Sequence, residues 1–165
     1  MIFCFLICVP SFSQDKIEWK KEFKLTLEDF KSSTTEINEG VSSRIYYSGA
    51  NMDFLFQMSN IEFMLTKNFN EKVTAFYNRN AATIIAPNST IARQLLAVAN
   101  YDFDLTELFC RKFRKELFDN KGAFSNVSFF RPIFEKIHSE ILLIWGAWRN
   151  KIKKGKNTKL PHGRL

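Results

Sequence analysis

Apolar residues recur at every second position through the middle of this chain and at every third or fourth position in its C-terminal half. These are the spacings of half-buried strands and of amphipathic helices. Ile17-Glu18-Trp19 reads as a short strand. Leu25 to Phe30 reads as a turn that tucks Leu25, Leu27 and Phe30 under a sheet, and the Ser/Thr-rich stretch from Lys31 to Gly40 as a loop. Val41 to Tyr47 predicts a strand running into Ser48-Gly49-Ala50-Asn51, a hairpin connection. Phe54, Phe56 and Met58 alternate with Leu55, Gln57 and Ser59, and Ile61, Phe63 and Leu65 with Glu62, Met64 and Thr66. Both read as strands, and their opposite parity places a bulge or turn near Ser59-Asn60. Val73, Ala75 and Tyr77 predict one strand more.

From Pro87 onward the period becomes helical. Asn88 or Ser89 caps a helix that runs to about Leu117 and stops at Asp119-Asn120-Lys121-Gly122. At about 100° per residue, Ile91, Leu95, Val98, Leu105, Phe109 and Phe113 share one face, with Asp102 in its middle. A carboxylate there must pair with Lys or Arg, cap backbone donors, or face a cleft that keeps some water. A second helix spans about Ser128 to Lys153, with Pro132 in its first turn. Phe130, Ile133, Phe134, Ile137, Ile141, Ile144, Trp145, Trp148 and Ile152 cover a face of roughly 120°, ordinary core packing. His138, at the edge of that face, reads as a packed or half-exposed histidine. The fold class is therefore α+β: an antiparallel or mixed sheet of roughly three to five strands against two long helices, about 88–118 and 128–153.

Composition adds boundaries. A chain of 165 residues, 45% hydrophobic with 18 Phe, forms one domain with a substantial core. Met1 to Val9 is an apolar run too short to span a bilayer. Pro10 ends it, and Ser11-Phe12-Ser13 places small residues where a signal peptidase cuts, so residues 1–13 read as a secretory signal peptide, with a buried N-terminal strand as the alternative. Residues 14–153 would be the domain and 154–165 a basic tail. After cleavage Cys110 is the only cysteine, so no internal disulfide can form. The net charge of +7 is a tail property: seven bases and no acid lie between Arg149 and Leu165, leaving 24 − 7 = 17 bases against 17 acids elsewhere. Lys151, Lys153, Lys154 and Lys156 could meet an anionic envelope surface. Without interleaved aromatics, nucleic acid is not expected. No phosphate loop, Cys-x-x-Cys or Gly-x-Ser-x-Gly elbow occurs. Asp102 and Asp104 project roughly 160° apart on a helix and cannot work as an acid–base pair.

The stretch from Leu95 to Leu117 resembles the catalytic helix of a bacterial domain-of-unknown-function family of predicted secreted zinc-dependent proteases. Phe103, Asp104, Glu107, Leu108, Arg111, Lys112, Arg114 and Lys115 fall in register with it, and Leu25 to Phe30 resembles its N-terminal signature, with Leu27 in a tryptophan position. The resemblance implies a small zincin-like domain in which Val73 to Tyr77 is the strand along the edge of the active-site cleft. It also implies a helix carrying His-Glu-x-x-His, whose histidines hold zinc while the Glu acts as base on the bound water. Those positions are Val98, Ala99 and Asp102 here. Val98 has no lone pair and Ala99 no base. Cys110 stands where the family carries Ala and reads as a packing residue. His162, in Leu160-Pro161-His162-Gly163, is similar to a C-terminal His-Gly element of the family. Asp102 and His162 are thus weak metal candidates, no catalytic residue is assigned, and zinc, the family's cofactor, is not expected. The expected function is a secreted or periplasmic, catalytically inactive binding or structural protein without a transmembrane span. The alternatives are a metal-dependent hydrolase with a relocated site drawing on Asp102, His162 and Glu107, and an envelope-surface binder acting through the tail.

Overall fold

A computed structural model describes residues 15–54, 59–122 and 128–153. The expected signal peptide, the tail with Lys154, Lys156 and His162, and the strand positions Phe56 and Met58 lie outside the described residues. In chain order the elements are β1 (Lys16–Glu18), a one-turn 3-10 helix (Leu27–Asp29), β2 (Glu36–Ile37), β3 (Ile45–Tyr47), β4 (Ala50–Phe54), α1 (Asn60–Leu65), β5 (Val73–Asn78), β6 (Thr83–Ala86), α2 (Ser89–Asn120) and α3 (Phe130–Lys153). The fold is α+β, with two three-stranded sheets and two long helices among the described residues. Among the described residues no helix is long and apolar enough to cross a membrane.

One sheet has the order β1-β5-β4, antiparallel throughout; the other is β2-β6-β3, with β2 parallel and β3 antiparallel to β6. The expected hairpin at Ser48 to Asn51 does not form. β3 pairs with β6 and β4 with β5, so Ser48-Gly49 is a corner where the chain passes from one sheet to the other. The opposing chain turns the same corner with four residues, Arg79 to Ala82, against two. Gly49 is required at this crossing: its carbonyl accepts from the Asn78 amide at 2.7 Å, and an added Cβ would stand 2.5 Å from the Asn78 carbonyl oxygen. β5 lies in the middle of its sheet and not at a cleft edge, because both its sides are paired. Its alternation is complete, with Val73, Ala75 and Tyr77 fully buried.

The expected strand over Ile61 to Leu65 is instead helix α1. The Ser59 hydroxyl caps it by accepting from the Glu62 amide at 3.1 Å. Among Ile61 to Leu65 only Phe63 is buried, while Ile61, Met64 and Leu65 are 58–81% exposed, so the alternation has no sheet face to serve. The segment read as a loop contains the two-residue β2, and β6 was not anticipated at all: Thr-Ile-Ile-Ala is buried at three of four positions and shows no alternation.

α2 begins at the Asn88 cap, whose Oδ1 accepts from the Ile91 amide at 3.0 Å. It packs on both sheets and on α3. Ala92, Leu95, Ala99, Phe103, Phe109, Cys110, Phe113 and Leu117 form its buried face, while Val98 is only half-buried. α3 leans on this core through Ile137, which is fully buried, and through Phe134, whose ring meets Phe113 edge-on at 5.8 Å. Its remaining described apolar positions are half-buried or exposed, Leu143 to 74%. Phe130, Ile133, Phe134, Ile141 and Ile144 pack against the core but are only half-buried. Lys151 and Lys153 fall in its last turn.

Candidate functional site

Asp102 is the buried charge of the long helix, 1% exposed. α2 carries it beneath β3 and the sheet corner. The Tyr46 hydroxyl donates to Asp102 Oδ2 at 2.8 Å, and the Ser48 hydroxyl donates to the same oxygen. The Trp145 side chain, reaching in from α3, also favours the charged form of the carboxyl. Ser48 is held for this task because its Oγ also accepts from the Ala50 amide at 3.0 Å. Sequence reasoning expected Asp102 to pair with a cation, to cap backbone donors, or to face a cleft that keeps some water. Among the described residues it forms no ion pair; its hydrogen-bond donors are two hydroxyls from elements far away in sequence. A neutral O–H or N–H can enter an apolar interior without its own counter-charge, so it solvates a buried carboxylate more cheaply than a Lys would.

The electrostatics follow from that arrangement. Burial pushes the Asp102 carboxyl up from the usual 3.8 to about 7, and the hydrogen bonds from Ser48, Tyr46 and Trp145 hold it from rising further. Burial, and then the charge of Asp102, drive the phenols of Tyr46 and Tyr77 well above their ordinary value. Both tyrosines therefore stay protonated and serve as donors or packing groups, not as bases.

The positions around Asp102 face elsewhere. Ala99 is wholly buried, so the position that the resemblance gives to a general base opens onto the core. Asn100 clamps the N-terminal segment: Oδ1 accepts from the Leu25 amide at 2.8 Å, and Nδ2 donates to the carbonyls of Leu25 at 3.2 Å and Leu96 at 3.1 Å. Asp104 accepts from Trp19 Nε1 at 2.9 Å and from Lys24 Nζ at 3.0 Å. Glu107, 8% exposed, takes Arg111 Nε at 2.9 Å and Arg114 Nη2 at 2.6 Å. Lys112 pairs with Glu140 of α3. The polar residues that carry the resemblance are thus largely ties between elements. Asp102 and Glu107 do not converge, and among the described residues no three His, Cys, Asp or Glu side chains do. His138 is exposed and stacked on Phe134 at 5.7 Å. Burial pushes the Cys110 thiol up to about 12, which keeps it un-ionised.

Tyr46 and Ser48 also line a groove of about 650 Å³ between the β3–β4 edge and α3. Met52, Phe134, Leu142 and Trp145 give it apolar walls, and Arg44 and His138 are among its polar lining groups. Sequence reasoning missed Tyr46, Ser48 and Asn100 as site residues and placed Trp145 only in the core. Tyr46 and Ser48 stand 56 and 54 residues from Asp102, and no local pattern marks such partners. The one available clue was the carboxylate on an apolar helix face. No family model, curated protein or solved structure matches the chain.

Proposed function

We propose that this chain is a secreted or periplasmic binding protein that keeps a zincin-like scaffold without its catalysis. The observation that carries the reading is the engagement of Asp102. The oxygen that would turn toward a cation accepts instead from Tyr46 and Ser48. Val98 and Ala99 bring only methyl groups to the positions of a metal ligand and a base, and catalytic zinc needs three protein ligands. A hydrolase with a relocated site draws no support from Glu107, whose carboxylate is committed to Arg111 and Arg114. The groove beside Tyr46 and Ser48 offers apolar walls and a strand edge, the surface that an extended peptide or partner chain uses.

The test is metal analysis of untagged protein purified without chelators, together with peptidase assays before and after chelation. The expected outcome is no zinc near one equivalent and no chelator-sensitive cleavage. One tightly held equivalent of zinc refutes the reading.

A further inference from the structure

A second cleft, about 780 Å³, opens between the segment after α1 and the far half of α2. It shares no lining residue with the groove at Tyr46 and Ser48. Lys67, Arg111, Arg114 and Lys115 line it against a single carboxylate, Glu107. That lining carries an excess of three positive charges, in a part of the chain remote from the basic tail.

Charge alone would describe a solvated face; the order imposed on Arg111 makes this a site. Its Nε is pinned by Glu107 at 2.9 Å, and its guanidinium lies 5.2 Å over the Trp19 ring. Trp19 is itself fixed by the bond from its Nε1 to Asp104 at 2.9 Å. Glu107 is held in turn by Arg114, which anchors to the Val73 carbonyl at 3.0 Å. Held at one edge and over the ring, the Arg111 side chain is still 56% exposed, and its two terminal nitrogens form no hydrogen bond among the described residues. A planar fork already fixed in place loses little freedom when it takes an oxyanion in two-point contact. Lys67, whose ammonium sits 5.8 Å over the Phe118 ring, adds a cation that forms no ion pair among the described residues.

We propose that this cleft binds a phosphate oxyanion, free or carried on a lipid headgroup. The Arg111 fork makes the two-point contact, Lys67 adds charge, and the Glu107–Arg114 pair is the support behind them. The full-length protein is to be titrated with inorganic phosphate, followed by backbone amide NMR, and in parallel with phosphatidylglycerol vesicles against phosphatidylcholine vesicles. The expected result is saturable binding in at least one arm, with shifts confined to residues 67–70 and 111–115 in the phosphate arm. Arg111→Gln should weaken binding at least tenfold, Arg111→Lys less, and Lys67→Gln several-fold with the fold undisturbed. Neutralising Lys151, Lys153, Lys154 and Lys156 to Gln should leave the binding intact. Phosphate binding identifies a free ligand, and vesicle binding alone identifies a headgroup. The proposal is overturned if neither arm saturates, if Arg111→Gln and Lys67→Gln both bind like wild type, or if the tail variant alone abolishes binding.

Discussion

Replacing Asp102 with Asn should make the protein's stability far less sensitive to pH between 4 and 8. In the unfolded chain the carboxyl titrates near 3.8, and in the native state near 7. Between these values the native state holds a proton that the unfolded state has lost. Unfolding then releases a proton, so stability falls as pH rises. The contribution is complete below the unfolded value and is lost as pH passes the native one. A separation of about three pKa units at about 1.36 kcal/mol each sets a ceiling of about 4 kcal/mol. Asp102 is 1% exposed, so solvent screens little of it. Asn keeps an acceptor oxygen for Tyr46 and Ser48 but cannot ionise. Urea denaturation of both proteins at pH 4, 6 and 8 measures the effect. Relative to wild type, Asp102→Asn should gain about 2–4 kcal/mol between the extremes. Two pH profiles that stay parallel within about 0.5 kcal/mol would show that the carboxylate is solvated or cation-paired, and the reasoning fails.

Tyr46→Phe removes one donor from the buried carboxylate and should cost about 1–3 kcal/mol, more at pH 8 than at pH 5 because Asp102, the acceptor left behind, is then charged; equal loss at both pH values argues against the contact. Gly49→Ala puts a methyl group against the Asn78 carbonyl and should cost about 1–3 kcal/mol in thermal or urea denaturation; an unchanged midpoint would mean that the two chains do not cross so closely there. Cys110 should resist iodoacetamide at pH 8 in the folded protein and react fully in urea, read by mass spectrometry on the peptide that contains it. Prompt native labelling would contradict its burial. Phe113→Ala, which empties a wholly buried site between Phe54 and Phe134, should cost about 3–5 kcal/mol.

Local chemistry explains what could be read before any coordinates. Asn88 and Ser89 mark the start of α2 because a short polar side chain before a helical period caps its free amides, and of the two it is Asn88 that accepts from Ile91. Val73, Ala75 and Tyr77 reveal β5 because alternating burial leaves a two-residue period. The same rule misled at Ile61 to Leu65, where five residues are too few to separate the two periods and the exposed apolar side chains answer to neither. β6 escaped because Thr83, Ile84 and Ala86 are all buried, a run that shows no strict alternation. Asp102 stood out as an anomaly, but its solution did not: a search for a Lys or Arg overlooked hydroxyls on a strand and a corner more than fifty residues away.

What the sequence by itself determined is the identity and extent of the long helices, the N-terminal cap region of α2, the parity of the central strand and the lone carboxylate on an apolar face, since each rests on interactions spanning only a few residues. The exchange of partners at Ser48-Gly49, the donors gathered around Asp102 and the stacking of Arg111 over Trp19 were decided only by the tertiary structure. Such contacts join residues that share no local period. Which donor meets which acceptor is settled when the sheets and helices pack and every buried polar group must find a partner.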